Sequence, residues 1–329
     1  MSPVSPATTR VAITGGTGFV GGHLATRLSR QGHDVVLVAR GMDQRPWAQQ
    51  VLRQPRVSLA RVGIGDLEGL ARAFAGCQAV AHCAGINRQL GAQTYRAVHV
   101  QGTANVVRAA EHAGVRRLAL LSFLRARPGC GVAYHESKWA AEELVRASRL
   151  AWTVLKPGVI FGRGDHLLDH LSHALHTFPV FVGVGPLRVR PLAVGDVVDV
   201  LGAALLEGRL ACRTVALTGP TELGFDQAVR LVADVAGRHR RMVRLPIGFH
   251  YALAWLAERL MTVPLVSTAQ VRILVEEVVE PTLAPDSLPA DLVPRTPFDT
   301  PSIRAGLPDP GPFGLADLRW RRRPHHGVR

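Results

Sequence analysis

The sequence predicts an α/β protein: a doubly wound parallel sheet followed by a smaller, mostly helical C-terminal lobe. Three observations carry this. Short apolar runs alternate with helical periodicity through the first two-thirds of the chain. A glycine-rich stretch, Thr14 to Gly21, joins the first run to the first helical pattern. A second apolar run follows about 20 residues on, as a βαβ unit requires.

Strands are expected at 10–14, 34–39, 57–61, 78–82, 117–122, 152–156 and 213–218, with helices at 19–30, 66–75, 94–113 and 134–149 among them. Right-handed crossovers place helices on both faces. Residues 191–208 return to helical periodicity, with Asp196 placed to begin that helix. Residues 220–280 carry three helical stretches. Prolines crowd 281–312, so irregular structure is expected there. The division that follows is residues 1–160, rejoined by 189–219, as a nucleotide domain. Residues 161–188 and 220–315 form a substrate lobe, and 316–329 a basic tail.

With 329 residues, 47% of them hydrophobic, a large core is affordable. The net charge of +14 is almost all arginine, since only Lys138 and Lys156 are lysines. That balance favours acidic partners, a phosphorylated cofactor among them. Nucleic acid is not expected: aromatics are 5% and no zinc spacing is present. The four cysteines form no CxxC pair, and the opening residues have no apolar core, which fits a cytoplasmic setting. The stretch from Ile247 to Val263 is interrupted by Glu258 and Arg259. Its Phe249, Leu253, Leu256 and Leu260 share one face, which reads as an amphipathic core helix or, alternatively, as a peripheral membrane contact.

Gly15, Gly18 and Gly21 let the chain turn tightly and approach a pyrophosphate, while the following helix offers free N–H groups and a positive dipole end. Tyr134 and Lys138 lie four apart at the start of a helical run, hence on one face. An ammonium beside a phenol favours the phenolate and makes the tyrosine usable in proton transfer. An NAD enzyme places an acid at the end of the second strand for the ribose 2′-hydroxyl. Here Ala39 is followed by Arg40, whose guanidinium suits a 2′-phosphate. NADP(H) is therefore favoured over NAD(H), with Asp43 available to a ribose hydroxyl in the other case. His166, His170 and His173 share a helix face, but no carboxylate or cysteine cluster completes a metal site.

These motifs, in this order, resemble the extended or atypical short-chain dehydrogenase/reductase superfamily, of the NAD-dependent epimerase/dehydratase type. The likeness covers roughly residues 10–220: the TGxxGxxG turn, Asp66-Leu67, His82 to Gly85, YxxxK, and Leu155 to Asp165. It extends to a branch that includes a respiratory complex I accessory subunit. The resemblance implies a Rossmann-like fold and a role for each matched residue. Gly15, Thr17, Gly18, Phe19, Val20 and Gly21 would line the pyrophosphate. Asp66 would meet the adenine amine with Leu67 beside it, and Ala84 and Gly85 would lie along the adenosine ribose. Lys138 would hold the nicotinamide ribose, Tyr134 would act on the substrate oxygen, and Pro157 and Val159 would flank the nicotinamide. Ser122 is the hydroxyl available to polarise a substrate carbonyl, although it sits slightly early. His99 stands where the family has an asparagine, either as part of a proton relay or as packing. Two functions follow: an oxidoreductase or epimerase acting on a carbonyl or secondary alcohol, or a non-catalytic NADP(H)-binding protein docked on a protein or membrane partner. A homodimer through the fourth and fifth helices is usual for the family, with Trp139, Leu144 and Val145 as its seam unless they pack within the chain. The substrate wall would be apolar, from Phe178, Val180, Phe181, Leu253 and Trp255.

Overall fold

A computed structural model describes residues 8–41, 46–184, 187–260, 271, 278–309 and 311. Its elements run β1 (Arg10–Thr14), α1 (Phe19–Arg30), β2 (Asp34–Ala39), α2 (Pro46–Leu52), β3 (Val57–Arg61), α3 (Leu67–Phe74), β4 (Ala79–His82) and a π-helical turn (Arg96–Gln101) leading into α4 (Gly102–His112). There follow β5 (Arg117–Leu121), α5 (Ala133–Arg146), β6 (Ala151–Pro157), β7 (Ile160–Phe161), α6 (His166–Thr177), β8 (Val180–Val184), β9 (Arg188–Val189), β10 (Leu192–Ala193), α7 (Val194–Gly202) and a second π turn (Ala203–Glu207). The chain continues through β11 (Arg213–Leu217), β12 (Leu223–Gly224), α8 (Phe225–Val235), β13 (Arg241–Leu245), α9 (Ile247–Leu260) and α10 (Thr300–Gly306).

Seven strands form one sheet, in the order β11-β6-β5-β4-β1-β2-β3, with every pairing parallel. The order reverses between β1 and β4, and the crevice at such a reversal is where an open α/β sheet takes its ligand. Alternation along β1 explains the double winding. Val11 and Ile13 enter one core with Leu24 and Leu28 of α1 and Val197 and Leu201 of α7. Ala12 enters the other with Leu70 of α3, Val106 of α4 and Val145 of α5. Val145 therefore packs within the chain.

The chain divides into two compact units. The first comprises Met1–Phe161, Arg190–Thr221 and Val279–Pro297; the second comprises Gly162–Val189, Glu222–Val278 and Phe298–Arg329. The stretch 279–297 was expected with the substrate lobe but belongs with the sheet. Asp286 bonds both ways with Thr214 of β11, and Asp291 forms a two-pronged pair with Arg209. Asp196 does not begin α7 as expected. Ala193 stands at the N-cap position with no side-chain bond, and the carboxylate of Asp196, within the first turn, instead accepts from Thr296 N at 3.0 Å and Thr296 Oγ1 at 2.8 Å.

In the second unit β8 pairs with β13 in parallel and β9 with β12 antiparallel. Asp165 caps α6 by accepting from Leu168 N, and Asp299 caps α10 by accepting from Ser302 N. Of the three helical stretches expected over 220–280, α8 and α9 are described, and the third falls on residues outside the description. The basic tail also lies outside it. Contrary to the core-helix expectation, Phe249, Leu253 and Leu256 of α9 are exposed, while His250 and Ala254 are buried. Among the described residues no helix is long and apolar enough to cross a membrane, and the four cysteines are free.

Candidate functional site

The turn between β1 and α1 is closed by its own backbone. Gly18 N donates to Gly15 O at 2.9 Å, and Gly22 N to Gly18 O at 2.9 Å. Gly15 has φ +70°, and a Cβ there would stand 2.8 Å from Ala84 Cα. A Cβ on Gly21 would stand 2.5 Å from Gly15 O. Both positions therefore require glycine. Among the described residues helix α1 has no side-chain cap and no acid in its first turn, so its N-terminal N–H groups and dipole suit an anion. Trp47 fills the space over Gly22, where a Cβ would meet Nε1 at 2.7 Å. Nothing in the sequence signalled Trp47.

The remaining expected cofactor residues occupy the carboxyl ends of the strands. Arg40 follows β2, is exposed, and lays its stem 3.3 Å from a Cβ built on Gly63. Asp66 caps α3, accepting from Gly69 N at 2.9 Å, and Leu67 beside it is exposed. Ala84 and Gly85 follow β4, the first against Gly15. Pro157 ends β6 and is buried, and Val159 is half-buried, its carbonyl accepting from Leu192 N. Asp43 lies outside the described residues.

Tyr134 and Lys138 open α5, and both are buried. The Tyr134 ring is enclosed by Tyr95, His99, Phe123 and His135, with centroids 5.4 to 5.7 Å away. Burial pushes the phenol's pKa up, and Tyr95 adds to this. The shift runs opposite to the lowering expected from Lys138, and the phenol is held protonated. Lys138 Nζ donates to Leu121 O at 3.1 Å and stands 3.2 Å from where a Cβ on Gly85 would be. Burial lowers its pKa to about 8, against the opposing pull of Glu142 and then Cys83.

Ser122 departs from its expected role. Its hydroxyl donates to Glu142 Oε1 at 2.5 Å, so its single proton is directed at a carboxylate and not at a substrate carbonyl. Glu142 is fully buried and also receives Lys156 Nζ at 3.1 Å and Arg146 Nη2 at 2.6 Å. This cluster pins β5 and β6 to α5. Glu142 lies one turn beyond Lys138, so a Y-x-x-x-K-x-x-x-E spacing was there to be read.

A second buried chain links the phosphate turn to α5. Thr103 Oγ1 gives its proton to His99 O at 2.5 Å, so it accepts from His82 Nε2 at 3.0 Å. His82 Nδ1 then accepts from Thr14 Oγ1 at 2.6 Å. His99 Nε2 accepts from Ile86 N at 3.1 Å, which leaves Nδ1–H to donate to Ser137 Oγ at 2.8 Å, and Ser137 donates to Tyr134 O. Both imidazoles are fixed as single neutral tautomers. Burial, reinforced by Lys138, pushes His82 down to about 3 and His99 to about 2. His99 ties the segment after β4 to α5; its ring nitrogens are both occupied, which favours packing over a proton relay.

His173, from the histidine face of α6, bonds to the carbonyl of Gly311 and approaches Asp169. Among the described residues no group of three histidine, cysteine or acidic side chains is arranged to hold a metal.

The cradle fits a dinucleotide: an uncapped helix end, a tight turn whose glycines at 15 and 21 admit no Cβ, and a position at the sheet's reversal point. Comparison with known proteins agrees. An NAD(P)H-binding family model matches residues 15–166. Uncharacterized proteins of Mycobacterium tuberculosis and Mycobacterium bovis are 28% identical over 241 residues, covering 72% of this chain; the chain spans only 24% of their length. The ceramide reductase of Caulobacter vibrioides is 31% identical over 246 residues, covering 72% of this chain and 73% of that protein. A mitochondrial NADH dehydrogenase [ubiquinone] 1 alpha subcomplex subunit 9 of Arabidopsis thaliana is 25% identical, covering 74% and 61%. The Bordetella bronchiseptica enzyme WbmG, solved with NAD and UDP, shares the fold with TM-score 0.61 and 21% identity, over 73% of this chain and 83% of that one. The chain belongs to the NAD(P)-binding extended short-chain dehydrogenase/reductase superfamily.

Proposed function

We propose that this chain is an NADP(H)-dependent oxidoreductase acting on a carbonyl or secondary alcohol carried by an apolar, lipid-like substrate. The observation that carries the reading is the buried Tyr134–Lys138 pair, with Lys138 Nζ held between Leu121 O and Gly85 at the ends of β5 and β4. Gly15, Thr17, Gly18, Phe19, Val20 and Gly21 receive the pyrophosphate. Arg40 selects the 2′-phosphate, while NAD(H) is the weaker fit. Asp66 and Leu67 hold adenine, Ala84 and Gly85 the ribose, and Pro157 and Val159 the nicotinamide face. The nicotinamide, when bound, supplies or accepts the hydride. Tyr134, protonated by virtue of its burial, gives its proton to the carbonyl oxygen as the carbon is reduced. Lys138 then stabilises the phenolate left behind. The lipid-like substrate is supported by the relative named ceramide reductase.

A second reading, a non-catalytic NADP(H)-binding accessory protein, is favoured by two observations. The Ser122 hydroxyl is committed to Glu142, and a relative is named as a mitochondrial NADH dehydrogenase subunit. One experiment separates the two. NADPH oxidation is followed with long-chain ketones, and nucleotide affinity is measured alongside. Loss of about a hundredfold or more in turnover in Tyr134→Phe at unchanged affinity supports the enzyme. Turnover indifferent to Tyr134, or none with tightly retained nucleotide, supports the accessory role.

A further inference from the structure

We propose that α9, with the basic segment leading into it, is a docking face for an anionic lipid surface. The helix is inverted relative to an ordinary surface helix. At about 100° per residue, Phe249, Leu253 and Leu256 fall within one narrow arc. That arc faces solvent: the three are 47%, 40% and 46% exposed. The residues turned inward are His250, at 6%, whose Nε2 bonds to Gly183 O, and Ala254, at 0%. Trp255 is 50% exposed, with the Arg259 guanidinium 3.8 Å over its ring.

Water is a poor occupant for such a face, and the surrounding charge indicates a better one. The run Arg238-His-Arg-Arg-Met-Val-Arg244 enters the helix through Pro246. No acidic residue stands between Gly237 and Ala257. Arg238 and Arg241 are exposed. Arg244 pairs with Asp226, and Arg240 donates to Leu175 O, so those two are engaged within the unit. An apolar arc of aromatic and leucine side chains beside acid-free basic sequence is the pattern of a helix lying in the headgroup layer. The Trp255–Arg259 stack suits that boundary, with an apolar body below and a charged tip above. The 14 described residues of α9 are enough to lie along a headgroup layer. This inference stands on the second unit alone and is independent of the nucleotide site.

The test is flotation of the full chain with phosphatidylcholine vesicles containing about one-third phosphatidylglycerol. Wild type is expected to float with these vesicles. It should float much less with phosphatidylcholine alone, or at about 0.5 M salt, where charge attraction is screened. Phe249→Glu with Leu253→Glu should lower partitioning by roughly tenfold or more. The thermal melt should be unchanged, because both side chains are exposed. Arg238→Glu with Arg241→Glu should weaken binding to anionic vesicles only. The proposal is overturned if wild type stays with the free protein, or if the paired glutamates bind as well as wild type. It is equally overturned if the glutamates dissociate a homodimer, or a complex with a protein partner, while vesicle binding is nil.

Discussion

The Ser122 hydroxyl at the end of β5 and the Glu142 carboxylate on α5 meet at 2.5 Å, twenty residues apart in sequence and fully enclosed. Glu142 also neutralises the buried Lys156. Breaking one member of a buried ionic cluster strands the other charge. Glu142→Gln is therefore expected to cost about 3–5 kcal/mol in chemical denaturation. Glu142→Leu with Lys156→Met should recover most of that loss. Ser122→Ala should cost about 1–3 kcal/mol. A Ser122→Ala protein of native stability would show that the bond contributes nothing.

The Lys138 ammonium has a second consequence. Its pKa is brought down to about 8, and it must be charged to stabilise a phenolate. Raising the pH through that value removes the charge. kcat/KM for carbonyl reduction should therefore fall above about pH 8. Lys138→Arg should shift that limb upward, because a guanidinium does not deprotonate, at a reduced maximal rate. A pH–rate profile of both proteins checks it, and a flat wild-type profile to pH 10 would count against the role.

His82 and His99 predict acid sensitivity. Their folded pKa values, about 3 and about 2, lie below the ordinary 6.5. Between those limits the unfolded chain binds more protons than the folded one, so stability rises with pH across this window and is lost as pH falls below 6.5. Each histidine contributes up to about 1.4 kcal/mol per pH unit there. Denaturation midpoints from pH 7 down to 4.5 should fall, and His99→Gln should flatten the slope.

Gly15→Ala places a Cβ 2.8 Å from the Ala84 backbone and forces an L residue to φ +70°. The left-handed conformation alone costs about 1–2 kcal/mol. Nucleotide binding by calorimetry should be lost in this variant even where it folds. Wild-type affinity would mean that the turn does not contact the phosphates.

Arg40→Ala should weaken NADPH by roughly tenfold to a hundredfold and leave NADH nearly unchanged, since in the proposed site only the 2′-phosphate would meet its charge. Fluorescence titration with both nucleotides measures it. An equal loss for both would assign Arg40 to the shared part of the dinucleotide.

The sheet was legible in the sequence almost strand for strand. Strands buried on both faces read as continuous apolar runs, and the glycine turn fixed where the first one ends. The expected and observed spans of β1, β2 and β3 coincide. Partnerships that depend on distant segments were not legible. Nothing local to Asp286 announces that it bonds to Thr214, and Asp196 looks like a helix cap until Thr296 arrives from a hundred residues away. At the site, spacing put Tyr134 and Lys138 on one face, but not the direction of the tyrosine's pKa shift, which depends on the rings of Tyr95 and Phe123 closing over it. Helix α9 shows the limit of periodicity most plainly. Its apolar arc was correctly phased and pointed the opposite way, because the pattern marks a stripe without saying what covers it.

The sheet's last strand arrives late. β11 pairs with β6 only after the chain has left the first unit at Gly162 and returned at Arg190. During synthesis, six strands are thus complete while the outer side of β6 still waits for Arg213–Leu217 to leave the ribosome. An unpaired parallel edge is a template for any other extended chain nearby. The nascent protein is therefore most prone to misassociation in that interval, and a fragment ending at Phe161 would carry that exposed edge permanently.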